Sequence, residues 1–233
     1  MKAPWMALVG LVMVACAAPA DSGVDEEQGD AELARSPDGK PHTALGWNSW
    51  LKHNYPDWYI RSPRSQSDLH PWGLDYDPEV VPVYAHNERF IAGVTPTTLL
   101  AVMRKAGTFS SYYSNSGPAL LDGGRPVTKL ELGTHYTWTT FSTPQDMEVV
   151  ELDDDPKEAV LAWHGGSFEF FGSYGIEVYH RWIFRAEPGG TRVVTEECER
   201  GIGAELARFM SSALHATHEL WLVQLEEHVR GRR

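Results

Sequence analysis

The chain has little cysteine and little positive charge. Its 233 residues include only two cysteines, and 20 Lys and Arg against 32 Asp and Glu give a formal net charge of −12. Two cysteines cannot build a disulfide-stapled scaffold, and the acidic balance argues against a nucleic-acid-binding protein, which normally carries a basic patch. The sequence also has no phosphate-binding glycine loop, zinc-type cysteine spacing or Ser/His/Asp arrangement. With 42% hydrophobic residues, the composition is that of an ordinary soluble globular protein.

Long apolar runs are scarce, and the clearest one lies near the N-terminus. It covers residues 6–15 and follows Lys2, which predicts a secretory signal rather than a membrane span of about 20 residues. The run ends at Met13-Val14-Ala15-Cys16, which resembles the bacterial lipobox, although Met stands where Leu is usual. The resemblance implies a lipid on Cys16 and secretion across the inner membrane. The protein would then be anchored in the bacterial cell envelope, at the outer membrane or the cell surface. The alternative is a plain signal peptide with an accidental cysteine.

The composition divides the chain into four segments. Residues 1–15 are the signal peptide. Residues 16–41 read as a flexible acidic tether, because few apolar side chains are available to offset the entropy of ordering. Residues 42–82 form an arm rich in Trp and Pro, with a short helix predicted near 43–52; a packed arm is favoured over a lid that contacts a ligand. Residues 83–233 form the main folded domain.

The pattern within the main domain predicts an α+β fold. A strand begins at Val83, and Thr95-Pro96 then gives a helix start, with a second short helix or turn after it. Alternating apolar residues separated by turn signals predict six further strands in an antiparallel meander, at 127–132, 134–142, 146–153, 158–164, 173–186 and 191–200. Apolar residues three to four apart predict one long C-terminal helix over about 204–230.

Three segments of the main domain resemble the helix-grip superfamily, also called SRPBCC or START-like, and in particular its bacterial polyketide cyclase/dehydratase-like members. They are the strand and helix over 90–103, the strand over 148–153, and the hairpin that begins Tyr179-His180-Arg181-Trp182 and continues to Glu197. The resemblance covers roughly residues 83–230. It implies a curved antiparallel sheet of about seven strands wrapped around a long C-terminal helix, with two short helices after the first strand. It also implies an internal cavity for a lipid, sterol-like or polyketide-like ligand, without fixing a reaction.

The last hairpin can be placed in register. A four-residue loop over 187–190 pairs Trp182 with Thr195 and His180 with Glu197, all on one face. That face is the more aromatic, so we expect it to point toward the helix and the cavity. A His beside a carboxylate in an apolar cavity is a pairing used in general acid/base catalysis, which makes His180 and Glu197 candidate catalytic residues. A structural pair that bridges two strands is the more common occurrence. The neighbouring Arg181–Glu196 pair is expected to face solvent.

Large rings and a small helix residue are the candidate ligand contacts. They are Tyr136, Trp138, Trp163, Phe168, Phe170, Trp182, Phe184, Phe209 and Ala213. The glycines around the two phenylalanines predict a flexible loop that could gate the cavity or simply plug it. On the C-terminal helix, His215, His218 and Glu219 have a spacing that can bind metal, but no further ligand is evident and His218 could face solvent. We therefore predict no metal and no cofactor. Cys198 is expected to be a buried small residue.

Three functions follow from this reading. The first is a membrane-tethered protein that binds a small hydrophobic molecule without transforming it. The second is a cyclase or dehydratase that uses His180 and Glu197. The third is a structural envelope protein whose cavity is filled by its own aromatic side chains. No nucleic-acid partner is expected, and the membrane is reached through Cys16.

Overall fold

The structure is a computed structural model that describes residues 41, 43–64, 72–170 and 173–231, with only the backbone described at 168–170 and 173–174. The predicted signal peptide, Cys16 and nearly all of the tether lie outside the described residues. Phe171 lies outside them as well, and the side chains of Phe168 and Phe170 do too.

The described fold is α+β, with one large antiparallel sheet and a C-terminal helix, which confirms the predicted fold class. The helices are α1 (Ala44–Asn54), α2 (Pro96–Met103), α3 (Ile202–Leu206) and α4 (Ser211–Val229). The strands are β1 (Val83–Ala92), β2 (Leu120–Leu121), β3 (Arg125–Pro126), β4 (His135–Thr140), β5 (Thr143–Asp153), β6 (Glu158–Phe170), β7 (Ser173–Glu187) and β8 (Gly190–Arg200). Their order in the sheet is β1-β8-β7-β6-β5-β4-β2-β3, so the sheet is open.

The sheet has eight strands among the described residues, not about seven, and the difference lies between α2 and β4. The strand predicted at 127–132 is wrong: this segment is a loop in which Val127 N–H donates to the Ala119 carbonyl and Leu130 N–H to the Arg104 carbonyl. Two short strands, β2 and β3, form a hairpin just before it. The turn between them contains Gly123 and Gly124 with φ of +79° and +78°, which glycine adopts most readily.

The C-terminal helix is interrupted, which corrects the prediction of one helix over 204–230. A short 3₁₀ turn over 208–210 separates α3 from α4. The hydroxyl of Ser211 donates to the Arg208 carbonyl at 2.8 Å, a local bond that competes with a continuous helix. Ala204 of α3 still packs with Val83 and Leu214, whereas Leu206 and Phe209 beside the turn are more than half exposed.

The core lies between α4 and the concave face of the sheet. Trp138, Trp163, Trp182 and Trp221 lie there, each at most 5% exposed, and their rings make tilted and edge-to-face contacts with one another. Such contacts stabilise a packed aromatic core. No helix among the described residues is long and apolar enough to cross a membrane.

The Trp-rich arm packs on two outer surfaces. In α1, Trp47 and Leu51 are buried against Ala213 and Ala216 of α4. Further along, Trp72 packs against the convex face of the sheet, where its ring contacts Tyr84 and Tyr179. The packed arm predicted from the sequence is therefore observed for the described part of the arm.

On the convex face, one expectation about the last hairpin is wrong. Arg181 and Glu196 were expected to face solvent, but both are fully buried, and Arg181 Nη2 donates to Glu196 Oε2 at 2.8 Å. The cover comes from the arm, since Trp72 lies over the guanidinium. Cys198, on the same face, is fully buried as expected.

Candidate functional site

A cavity of about 160 Å³ lies between the concave face of the sheet and α4. Most of its wall is aromatic or aliphatic, including Trp138, Trp163 and Trp221. One stretch of wall is polar and contains His180 from β7, Glu197 and Glu199 from β8, and His218 from α4. An apolar cavity with a few converging polar groups is the usual form of a small-molecule site.

The register of the last hairpin places His180 beside Glu197, as the sequence predicts. Ala186 pairs with Thr191, Trp182 with Thr195 and His180 with Glu197. His180 Nδ1 lies 2.7 Å from Glu197 Oε2, and the two residues are 1% and 8% exposed. Residues two apart on a strand share a face, so Glu199 joins this wall from the same side of β8.

His218 completes a compact cluster with the hairpin pair. Its Nε2 lies 3.4 Å from Glu197 Oε2, and its ring centre lies 4.7 Å from that of His180. His218 is only 2% exposed, so the expectation that it could face solvent is wrong. The carboxylate of Glu197 thus lies between two imidazoles, one from β7 and one from α4.

The surroundings shift the pKa values of the two carboxyl groups, Glu197 and Glu199, in opposite directions. Burial works against ionisation of Glu197, but the facing imidazoles of His180 and His218 hold the pKa of its carboxyl well below the usual range. Burial and the nearby Glu197 carboxylate instead raise the pKa of Glu199 well above its usual range. The raised pKa favours the protonated form of Glu199, and the lowered pKa favours the carboxylate form of Glu197. Opposite pKa shifts of two neighbouring carboxyl groups are the usual arrangement of a general acid beside a general base.

The two imidazoles differ in whether a ring nitrogen remains free to bind a ligand. Both ring nitrogens of His180 are engaged, since Nδ1 faces Glu197 and Nε2 lies 2.7 Å from Thr195 Oγ1. His218 uses Nε2 for Glu197, while its Nδ1 has no hydrogen-bond partner in the described part of the chain. Burial also lowers the pKa of His218, which favours the neutral ring. His218 and Glu199 are thus better placed than His180 to meet a ligand directly.

The predicted ligand contacts divide into three groups. Trp138 and Trp163 line the cavity, together with His180 and Glu197. Tyr136, Trp182 and Phe184 are buried in the adjacent core and do not line it. The side chains of Phe168 and Phe170 lie outside the described residues.

Two predicted contacts on the C-terminal helix are placed elsewhere. Phe209 is 58% exposed, because the 3₁₀ turn removes it from the inner face of α4. Ala213 is buried against α1, on the side of α4 away from the sheet. The glycine-rich stretch was expected to be a loop, but Gly165 lies inside β6, paired with Met147 of β5.

Sequence reasoning missed Glu199 and His218 as members of the site. The period-2 pattern of β8 carried the signal for Glu199, since it lies two residues after Glu197 on the same face. For His218, the apolar spacing of the helix did not show which way the side chain points. His215, three residues earlier, is buried as well, and its Nδ1 lies 3.0 Å from the Trp58 carbonyl oxygen. The apolar pattern also gave no sign of the 3₁₀ turn over 208–210 that separates α3 from α4.

No protein-family model matches the chain, and no curated protein matches it. Solved structures do match. A hypothetical protein of Helicobacter pylori, jhp0584, has 24% identity and a TM-score of 0.62, over 71% of this chain and 99% of that one. The two chains share a fold. At this identity the likeness shows nothing beyond the fold.

Two further structures show a weaker likeness. Protein MLL2253 of Mesorhizobium loti has 12% identity and a TM-score of 0.48, over 64% of this chain and 98% of that one. The di-domain ARO/CYC StfQ from the steffimycin biosynthetic pathway has 12% identity and a TM-score of 0.48, over 64% of this chain and 52% of that one.

Proposed function

We propose that this protein is a helix-grip protein that binds a small hydrophobic molecule in the cavity between the sheet and α4. One observation carries the proposal: a cluster of the buried side chains His180, Glu197 and His218 forms one wall of a mostly apolar cavity, with the half-buried Glu199 beside it. Burying so many ionisable groups costs folding free energy unless they are paired. A ligand-binding role accounts for their position at the cavity rather than at the surface.

The size of the cavity narrows the ligand class. An engineered cavity of about 150 Å³ in another protein holds one benzene molecule, and this cavity has a volume of about 160 Å³. The ligand is therefore a single-ring molecule, smaller than a sterol or a multi-ring polyketide. His218 Nδ1, on the polar part of the wall, has no hydrogen-bond partner among the described residues, so a hydroxyl group on the ring completes the match.

Native mass spectrometry of the purified full-length protein, followed by calorimetric titration, tests this proposal. Phenol and toluene are matched probes, because they have the same ring and differ in the hydroxyl group. We expect phenol to bind more tightly than toluene, and a single ring to bind more tightly than naphthalene. A protein that binds none of the three, and from which no ligand dissociates in the spectrometer, would overturn the proposal and favour a structural envelope protein.

Catalysis is a second candidate function, and the adjacent acid and base favour it. The raised pKa of Glu199 and the lowered pKa of Glu197 favour an acid beside a base, the forms needed to move a proton in each direction. A cyclase or dehydratase-type reaction on the bound ligand would use Glu199 with His218, and His180 would position Glu197. Glu199→Gln keeps the shape and removes the exchangeable carboxyl proton. Turnover lost with phenol binding retained would support an enzyme, whereas binding with no turnover by the parent protein would support a carrier.

We also propose that the protein is anchored to the bacterial envelope through a lipid on Cys16. The short apolar run and the lipobox-like ending at Cys16 support this proposal. Metabolic labelling with a tritiated fatty acid tests it. Label in the parent protein and none in Cys16→Ser is expected, and equal label in both proteins would contradict the proposal.

A further inference from the structure

Three potential metal ligands converge from three different elements at the polar wall of the cavity. His180 comes from β7, Glu197 from β8 and His218 from α4, and one ligand atom from each lies within 4.8 Å of the other two. Among the described residues this is the one group of three or more His, Cys, Asp or Glu side chains gathered so closely. All three are buried, so their convergence differs from the common clustering of acidic groups on a surface.

The spacing of these atoms is close to that of a metal site. Ligands held at about 2.0–2.1 Å from a tetrahedral ion lie about 3.3 Å from one another. His218 Nε2 and Glu197 Oε2 are 3.4 Å apart. His180 Nδ1 and Glu197 Oε2 are 2.7 Å apart, which is a hydrogen-bond distance. Binding of an ion would therefore need the Glu197 carboxylate to rotate so that this distance increases toward that of two metal ligands.

The surroundings add a second, independent observation. The other nitrogen of His180, Nε2, lies 2.7 Å from Thr195 Oγ1. Metal-binding imidazoles usually have a partner on the second nitrogen, because it fixes the ring orientation. His180 meets this condition, whereas His218 Nδ1 has no such partner among the described residues. His180, Glu197 and His218 all line the cavity, so the remaining coordination position of an ion would be open to a small molecule.

We propose that His180, Glu197 and His218 bind a divalent transition-metal ion of the Zn²⁺ class, with an open coordination position at the cavity. Two imidazoles and one carboxylate suit zinc and its first-row neighbours better than calcium or magnesium, which prefer oxygen ligands. Three protein ligands with one open position is the arrangement of a catalytic or ligand-binding zinc rather than a structural one. This proposal departs from the expectation of no metal that the sequence gives. What the ion does for a ligand rests on the proposed function, but its binding does not.

Metal titration of the purified, tag-free, full-length protein tests the proposal. After treatment with a chelator, Zn²⁺ is added, and its stoichiometry and affinity are measured by calorimetry and elemental analysis. Co²⁺ then serves as a spectroscopic probe, because its visible absorption reports coordination number. We expect one ion per chain and a Co²⁺ spectrum typical of four or five ligands.

Matched variants locate the site. We expect His218→Ala and Glu197→Gln each to weaken Zn²⁺ binding by about tenfold or more, since each removes a ligand. Glu197→Gln is nearly isosteric and serves if His218→Ala fails to fold. His164→Ala is the control, because His164 also lies beside a carboxylate, Glu177, at 2.9 Å, but is outside the cavity. Zn²⁺ binding below one ion per chain, or equally tight binding by Glu197→Gln and the parent, would overturn the proposal. So would loss of binding in His164→Ala alone.

The two proposals can fail separately. Phenol binding by the chelator-treated protein, together with no Zn²⁺ binding, would remove the metal and leave the proposed function intact. Zn²⁺ bound at the cluster in a protein that takes up no single-ring molecule would remove the proposed ligand class and retain the metal site.

Discussion

The guanidinium of Arg181 lies 4.4 Å from the ring centre of Trp72, so a residue of the N-terminal arm covers a buried charge on the convex face of the sheet. Beneath this cover, Glu196 receives Arg181 Nη2 at 2.8 Å and the Tyr84 hydroxyl at 3.0 Å. His86 Nδ1 lies 3.1 Å from the same carboxylate. The arm is therefore part of the folded domain, and the buried ion pair depends on it.

Removing one member of this ion pair should destabilise the protein more than removing both. Glu196→Gln leaves the Arg181 charge buried without its carboxylate, which costs about 3–5 kcal/mol in comparable cases. The double variant Arg181→Met with Glu196→Gln should lose less than Glu196→Gln alone. Urea denaturation gives the free energies of unfolding. Strictly additive losses would contradict the expectation.

An exposed ion pair provides the control for that experiment. Arg208 Nη2 and Glu205 Oε2 are 2.7 Å apart, but both side chains are more than half exposed. Glu205→Gln should change the free energy of unfolding by less than about 1 kcal/mol.

The sequence predicted the pairing of Arg181 with Glu196 but not the burial of the pair. The pairing of Arg181 with Glu196 follows from the turn length and the period-2 pattern, and it is observed. Whether that face is covered depends on residues about a hundred positions earlier in the chain, such as Trp72. Strand periodicity contains no information about such a distant cover.

A large side chain placed in the cavity wall should block the ligand while leaving the fold intact. Val178 lines the cavity from β7 and is 5% exposed. Val178→Phe places a ring in the space proposed for the ligand, and overpacking of this kind costs about 1–3 kcal/mol of stability. Phenol binding should weaken by about tenfold or more, which corresponds to about 1.4 kcal/mol. Val80→Phe is the control, since Val80 is 72% exposed, and it should bind phenol like the parent. Unchanged binding by Val178→Phe would place the ligand elsewhere.

The glycine inside β6 should be intolerant of any side chain. A Cβ added at Gly165 would lie 1.9 Å from the carbonyl oxygen of Asp146 on β5, and two paired strands cannot separate at one residue without loss of hydrogen bonds. We expect Gly165→Ala to cost about 3 kcal/mol or more, among the severe single substitutions. Gly124→Ala is the control. It has open space and a φ of +78°, so only backbone strain of about 1–2 kcal/mol opposes it. Thermal unfolding that ranks the two variants in the opposite order would show that β5 and β6 are not in such close contact.

The candidate site was predictable where it depends on one hairpin and unpredictable where it depends on packing between elements. A four-residue loop and strand alternation place His180 against Glu197, and the observed register agrees. His218 comes from α4, whose rotation about its axis is set by packing against β1 and α1. Phe209 was misplaced for a related reason, because the 3₁₀ turn before α4 interrupts the apolar period from which its direction was inferred.

The ion pair between Glu177 and Arg200 should give the protein part of its stability against acid. Arg200 donates to both carboxylate oxygens, Nη2 to Oε1 at 2.8 Å and Nε to Oε2 at 2.9 Å. These bonds, with a smaller contribution from His164, lower the pKa of Glu177 from 4.5 to about 2. Because the folded pKa is depressed, the stabilisation is fully present above about pH 4.5 and is lost as the pH falls toward 2. Melting temperatures of the parent and of Glu177→Gln should therefore differ most above pH 4.5 and converge toward pH 2. Arg200→Met removes the main cause of the shift, so in that background the Glu177→Gln substitution should have a smaller effect that varies less with pH. A difference between parent and Glu177→Gln that stays constant from pH 7 to pH 2 would show that the Glu177 carboxylate is not held in this ion pair.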